Sequence, residues 1–149
     1  MATRCTVALL RQLEKLEENA SDFTAAFDSW KASGVAGEFD SYLFGKDGAY
    51  LKPAVFGAPD ALRHVHIVPL SDADAHDTWN QQWRRRSRKV SDRALVYAQD
   101  PAHGHLLIWI LRDPGAHAVA RMETEADRTL MLKLLRIAER FVHDGEVIG

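Results

Sequence analysis

Residues 84–122 read RRRSRKVSDRALVYAQDPAHGHLLIWILRDPGAHAVARM, and this stretch decides the fold. Arg84, Arg85, Arg86, Arg88 and Lys89 fill five of its first six positions. Two apolar runs follow, Ala94 to Gln99 and His105 to Leu111, both rich in β-branched and aromatic residues. Asp100, Pro101 and Gly104 between them are turn formers in a loop of hairpin length, so the pair reads as a β-hairpin. The second run is apolar from Leu106 to Leu111, which suits a central strand covered on both faces with the first run as its neighbour. Beyond it, Arg112-Asp113-Pro114-Gly115-Ala116-His117 forms a turn that sets a cation and a histidine just past the sheet, where chemistry often resides.

Working outward, Thr124-Glu125-Ala126-Asp127 is close to a capping box ahead of Leu130, Leu134, Ile137, Ala138 and Phe141 at helical spacing. This predicts a C-terminal helix over residues 124–143. Towards the N-terminus, Leu9, Leu13, Leu16, Ala20, Phe23, Phe27 and Trp30 alternate steps of four and three, placing all seven on one helical face. Residues 1–34 are therefore read as one or two helices, with Asn19 to Asp22 able to cap a second one and Gly34 to stop it. Their apolar face either packs on the sheet or receives a partner. Arg63 to Val68 alternates as a strand, with Val65 and Ile67 on one face and His64 and His66 on the other. Phe44 to Tyr50 reads as a structured turn whose glycines do not fit a phosphate loop. Trp79 and Trp83 fall on one side of a helical turn, either stapling a loop to the core or stacking on unpaired bases beside the arginines. The expected fold is α+β, a small antiparallel sheet of three or more strands with N-terminal helices and a C-terminal helix. Residues 1–149 are read as a single domain, with sheet and site in 44–122.

Composition narrows the function classes. A net charge of -2 gives no global field towards nucleic acid, and residues 1–62 carry 6 basic against 9 acidic side chains. The basic character is local. One cysteine, Cys5, excludes an internal disulfide and a zinc cluster. His64 and His66 could share a metal, but no third ligand is specified, and none is expected. The apolar run Val7 to Leu10 is too short for a signal peptide and no stretch approaches a membrane span, so the protein is read as cytoplasmic.

Several pieces in order carry a family resemblance: Phe44-Gly45-Lys46-Asp47 with Tyr50, His64-x-His66, Ser87-Arg88, Leu95-Val96-Tyr97 with Gln99, Leu106 to Leu111, and His117-x-x-x-Arg121. From about Phe44 to Phe141 the chain resembles the YafO family of bacterial toxins, which belong to type II toxin-antitoxin systems and are similar in activity to RelE. The resemblance implies a RelE-like fold and a ribosome-dependent mRNA interferase, a metal-free endoribonuclease without cofactor that halts translation. Its implied partners are a cognate antitoxin, the ribosome and mRNA. A sequence pI near 6.4 sets the chain apart from the basic character usual among RelE-like toxins.

Metal-free RNA cleavage needs a base for the 2′-hydroxyl proton, an acid for the leaving 5′-oxygen and fixed positive charge for the transition state. His117 suits either proton role, with His64, His66 or Tyr97 as its counterpart. Arg88 and Arg121 suit the charge role through bidentate phosphate contacts. Lys46 and Asp47 complete or brace the site, and Arg84, Arg85, Arg86, Lys89 and Arg93 are candidate RNA-binding cations. Two other readings stand beside this one: a toxin that blocks a protein target without cutting RNA, and a non-enzymatic interaction domain using the N-terminal helical face.

Overall fold

The computed structural model describes residues 2–149. In chain order its elements are β1 (Thr3–Cys5), α1 (Val7–Lys15), α2 (Ala20–Ala32), a 3-10 turn (Gly34–Ala36), α3 (Gly37–Asp40), β2 (Phe44–Ala49), β3 (Leu62–Ile67), α4 (Ala73–Arg84), β4 (Ala94–Asp100), β5 (Gly104–Leu111), α5 (Ala116–Ala120) and α6 (Glu125–Asp144). The strands form one five-stranded sheet in the order β1-β5-β4-β3-β2. The architecture is α+β and consistent with the RelE-like expectation.

β4 and β5 pair antiparallel across the expected hairpin, and both are covered on each face. A bulge opposite Val96 and Tyr97 turns Ile108 and Trp109 to the same side before Ile110 returns to the other. On one face α1 and α2 deliver Leu9, Leu13, Phe27 and Trp30 onto Phe44, Val65, Leu95 and Tyr97. On the other, Met131, Leu134, Ile137, Ala138 and Phe141 of α6 cover Val96, Ala98, Leu106 and Ile108. The N-terminal region is two helices, and the second begins at the expected cap, Asn19, whose side chain accepts from the Asp22 N–H; Thr6 caps the first by accepting from the Leu9 N–H.

The sheet is mixed, because β1 runs parallel to β5. Three residues without alternation carry no strand signal, yet β5 has an open edge whose peptide groups need partners. β1 satisfies part of that edge, and side chains finish it. The Thr6 hydroxyl donates to the Ile108 carbonyl at 2.7 Å, while the Gln12 amide both donates to the Ile110 carbonyl (3.0 Å) and accepts from its N–H (2.8 Å). The Phe44 segment, read as a turn, is strand β2 with a register shift between Phe44 and Asp47.

Inside that irregularity Gly45 lies against the chain arriving from the basic run. A Cβ on Gly45 would stand 2.2 Å from the Lys89 carbonyl oxygen, while the Lys46 N–H donates to that same oxygen at 2.9 Å. Only a residue without a side chain permits the contact. Gly45→Ala is expected to cost about 2 kcal/mol through forced overpacking against backbone, a fall in Tm of roughly 6–8 °C for a chain this size. Thermal denaturation of the two proteins checks it.

Candidate functional site

α6 packs on β4 and β5, and β3 stands beyond it, so the β3 side chains on that face floor an open cleft. The cleft measures about 360 Å³ and is lined by Tyr50, Lys52, His64, His66, Ser91 and His117 among others. Alternation along β3 sends His64 and His66 into it while Val65 and Ile67 enter the opposite core. His117 arrives from α5. The His66 and His117 rings lie 5.3 Å apart between centroids, and His64 lies 6.0 Å from His66.

Each of the two facing histidines is oriented through Nδ1. His117 Nδ1 lies 2.9 Å from Asp92 Oδ1, and the same carboxylate accepts the backbone N–H groups of Gly115 (2.6 Å) and His117 (2.8 Å). Burial opposes the Asp92 charge, but these N–H groups and the His117 ring together hold its carboxyl below the usual carboxylate range. His66 Nδ1 sits against the backbone of Ser91, 2.7 Å from its carbonyl oxygen and 2.9 Å from its N–H. The Nδ1–H tautomer donates to that carbonyl and leaves Nε2 as an acceptor, whereas the Nε2–H tautomer accepts the Ser91 N–H at Nδ1, so the two contacts are alternatives. Burial lowers the His66 pKa, the Ser91 backbone works against that shift, and the positive charges of His117 and Lys46 add to it. His64 stacks on Tyr50 at 4.3 Å and is pushed down to about 4, mainly by burial and then by its histidine neighbours.

The other expected site residues divide by face and by burial. Arg121 ends α5 one turn beyond His117, exposed, with only a loose 3.9 Å pairing to Glu123. Lys46 is exposed beside the β2 bulge. Arg88 is drawn elsewhere, 3.5 Å from Glu38 and over the Phe39 ring. Tyr97 and Asp47 lie on the α2 face of the sheet. Tyr97 Oη donates to Asp47 Oδ1 at 2.6 Å, Arg63 donates to both groups, and Lys31 Nζ donates to Tyr97 Oη at 2.9 Å. Burial and the Asp47 charge raise the Tyr97 pKa far above neutrality. These residues brace the core and do not meet His117.

Among the candidate RNA-binding cations, Arg84, Arg85 and Arg86 are exposed. Lys89 and Arg93 are not. Lys89 is 0% exposed, donates to the Glu38 carbonyl at 2.9 Å, and is lowered to about 8 by burial. Arg93 donates to the Val68 carbonyl at 2.9 Å and pairs with buried Asp113. Both are spent inside the fold, because the loop that carries them is pinned under α4. Trp79 is wholly buried and donates to the Tyr42 carbonyl at 2.8 Å, so it staples α4 to the connection ahead of β2, in keeping with the stapling reading. The site residue that sequence reading missed is Asp92, whose one available signal is the short polar Ser91-Asp92 step before a strand. Among the described residues no three His, Cys, Asp or Glu side chains form a group able to hold a metal ion.

A mixed sheet clasped by N- and C-terminal helices, with paired histidines in a cleft beyond the last helix, defines a small α+β protein with the elements of a proton-transfer site. Residues 28–143 match the family described as Toxin YafO, type II toxin-antitoxin system, and the chain belongs to that family. Comparisons with curated proteins and with solved structures give no match. Family membership implies an antitoxin partner. No helix among the described residues is long and apolar enough to cross a membrane.

The depressed His64 pKa makes stability depend on pH. In the unfolded chain His64 titrates near 6.5, and in the folded protein near 4, so between these values the unfolded state binds more protons. Stability is therefore complete above pH 6.5 and declines as pH falls towards 4, by roughly 2–3 kcal/mol from this ring. Urea unfolding at pH 7.5 and pH 5 measures the decline, and His64→Gln is expected to flatten it.

Proposed function

We propose that this toxin is a ribosome-dependent mRNA endoribonuclease whose proton transfers are carried by His66 and His117. The observation that carries the reading is the facing of two histidines, 5.3 Å apart, each held at Nδ1 and each with Nε2 free of protein partners. Burial keeps His66 neutral, and its Nδ1–H tautomer, bonded to the Ser91 carbonyl, presents a bare Nε2 suited to take the 2′-hydroxyl proton. The 2′-oxygen then attacks phosphorus as the P–O5′ bond breaks. Asp92 compensates the positive charge of a protonated His117, which suits it to deliver a proton to the departing 5′-oxygen. The products are a 2′,3′-cyclic phosphate and a free 5′-hydroxyl. Arg121, with Lys46 and Lys52 at the rim, supplies fixed positive charge for the phosphorane-like transition state.

The ribosome enters through electrostatics. With a net charge of -2 and four exposed arginines in the basic run, two of them paired with Asp40 and Glu38, the chain releases few counterions from single-stranded RNA and binds it loosely near physiological salt. A ribosome that holds the messenger in a fixed path supplies the missing orientation. Arg84, Arg85 and Arg86, on the far side of the loop that holds Asp92, serve to dock on ribosomal RNA.

His66→Ala and His117→Ala are each expected to lower cleavage of translated mRNA by about a hundredfold or more, whereas Tyr97→Phe and Arg88→Ala leave a folded protein with far smaller losses. Mapping of 3′ ends in a purified translation system measures this, and comparable cutting of naked mRNA would remove the ribosome from the mechanism. The acid limb of the pH–rate profile reports His66 and is expected below pH 6.5. His66→Ala is expected to abolish that limb in the residual activity.

A further inference from the structure

Phe56 is 100% exposed, and Leu51 in the same connection between β2 and β3 is 97% exposed. Among the described residues no other large apolar side chain stands so far into solvent. The segment that presents Phe56 is built and not frayed. Val55 is buried in the α6-side core, the Ala58 N–H donates to the Val55 carbonyl at 3.1 Å, and Gly57 takes φ +78°. That is a turn of type II form, with glycine where left-handed backbone is required and Phe56 at the preceding corner, its ring directed outward. Leu51 and Lys52, which lead into the turn, line the histidine cleft. Three residues separate Lys52 from Phe56, and the four steps reach at most about 14 Å along the chain.

We propose that Phe56 is a stacking platform for an unpaired nucleobase of the RNA strand that runs through the His66–His117 cleft, with Lys52 on the intervening phosphate. The proposal rests on the RNA-cleavage reading above. A ring standing wholly in water on a built turn has no packing role in this fold, and its neighbours Ala54, Gly57, Ala58 and Pro59 give it no broad apolar surround. A protein interface centres on a contiguous apolar patch ringed by polar groups, whereas a base needs only one flat face and a nearby cation. Phe56 with Lys52 supplies that pair. Because every base has a π-face, the platform fixes where the strand lies and does not select its sequence.

The test is a coupling measurement that does not depend on cleavage. Short 2′-O-methyl oligoribonucleotides lack the attacking hydroxyl and are bound without being cut. A series with one abasic position moved along the strand is titrated against the full-length wild type, Phe56→Ala, Phe56→Leu and Phe56→Trp at about 0.05 M salt, where phosphate contacts are strongest. In the wild type one abasic position is expected to weaken binding about 5- to 100-fold. Phe56→Ala and Phe56→Leu lose that same factor with intact RNA and show no further loss at that position; Phe56→Trp keeps it. All four proteins fold alike, since the ring makes no intramolecular contact worth preserving. Three outcomes overturn the proposal: identical abasic profiles in wild type and Phe56→Ala, no oligonucleotide binding by the wild type, or Phe56→Leu behaving as wild type. If Phe56→Ala spares RNA binding and instead weakens the antitoxin complex, the turn is a protein contact. Coupling without any messenger cleavage in the translation system keeps the platform and removes the nuclease reading; cleavage without coupling does the reverse.

Discussion

β4 and β5 have almost no polar face, and that constraint organises the molecule. Leu95, Val96, Tyr97, Leu106, Leu107 and Ile108 are at most 1% exposed, so helices must lie on both sides of the same two strands. α1 and α2 take one side and α6 the other. Polar chemistry is thereby driven to β3, and to the connections that enter and leave the hairpin. β3 lies beyond α6, so its histidines are covered by the short α5 and the Ser91 segment instead, which bury His66 and leave His64 half-buried. The cleft is the region that the α6 layer does not reach.

The connection from α4 to β4 is the second determinant. It carries cations, and by composition it belongs on the surface. In the fold its backbone is fastened to β2 through Lys46 and Lys89, with Gly45 permitting the approach, and the Lys89 ammonium is spent on the Glu38 carbonyl above Trp79. Leaving such a charge buried without a partner costs several kcal/mol, so the lysine fixes the loop far more firmly than an exposed one would. The fixed loop then delivers Ser91 to His66 and Asp92 to His117. Buried cations and the Asp92 carboxylate that holds His117 thus share the nine residues between α4 and β4.

Two titratable clusters occupy opposite faces of the sheet and do different things. The Asp47 carboxylate, between Arg63, Lys31 and the Tyr97 hydroxyl, ties α2 to β2, β3 and β4 where aromatic packing ends. Its donors are consumed by one another, which suits bracing. The histidine cluster is the opposite case: the Nδ1 atoms of His66 and His117 are satisfied and their Nε2 atoms left over, while His64 Nδ1 is buried without a hydrogen-bond partner among the described residues. Residue types alone do not distinguish the two. The strand register does: Tyr97 lies opposite Arg63 and Asp47 opposite Val65, all on the α2 face, while His64 and His66 fall on the alternate positions.

By itself the sequence determined the elements whose signal is local. The hairpin, the capped helix after Thr124, the amphipathic N-terminal helices and the alternation of β3 follow from periodicity and turn chemistry within a few residues, and the apolar run of β5 required cover on both faces. It also put His117 forward, with His64, His66 or Tyr97 as its counterpart, because a histidine on a strand face or just past a sheet is conspicuous wherever it lies. Only the tertiary structure decided the rest. β1 exists because β5 has an unfilled edge, Lys89 and Arg93 are buried because of where their loop docks, and Tyr97 is parted from His117 by the thickness of the sheet. Asp92 became a partner of His117 through a contact spanning 25 residues, and Ser91 met His66 across the same separation in sequence. A charge in a sequence has no stated neighbours; its role is set by which distant groups the packed chain brings within hydrogen-bonding distance.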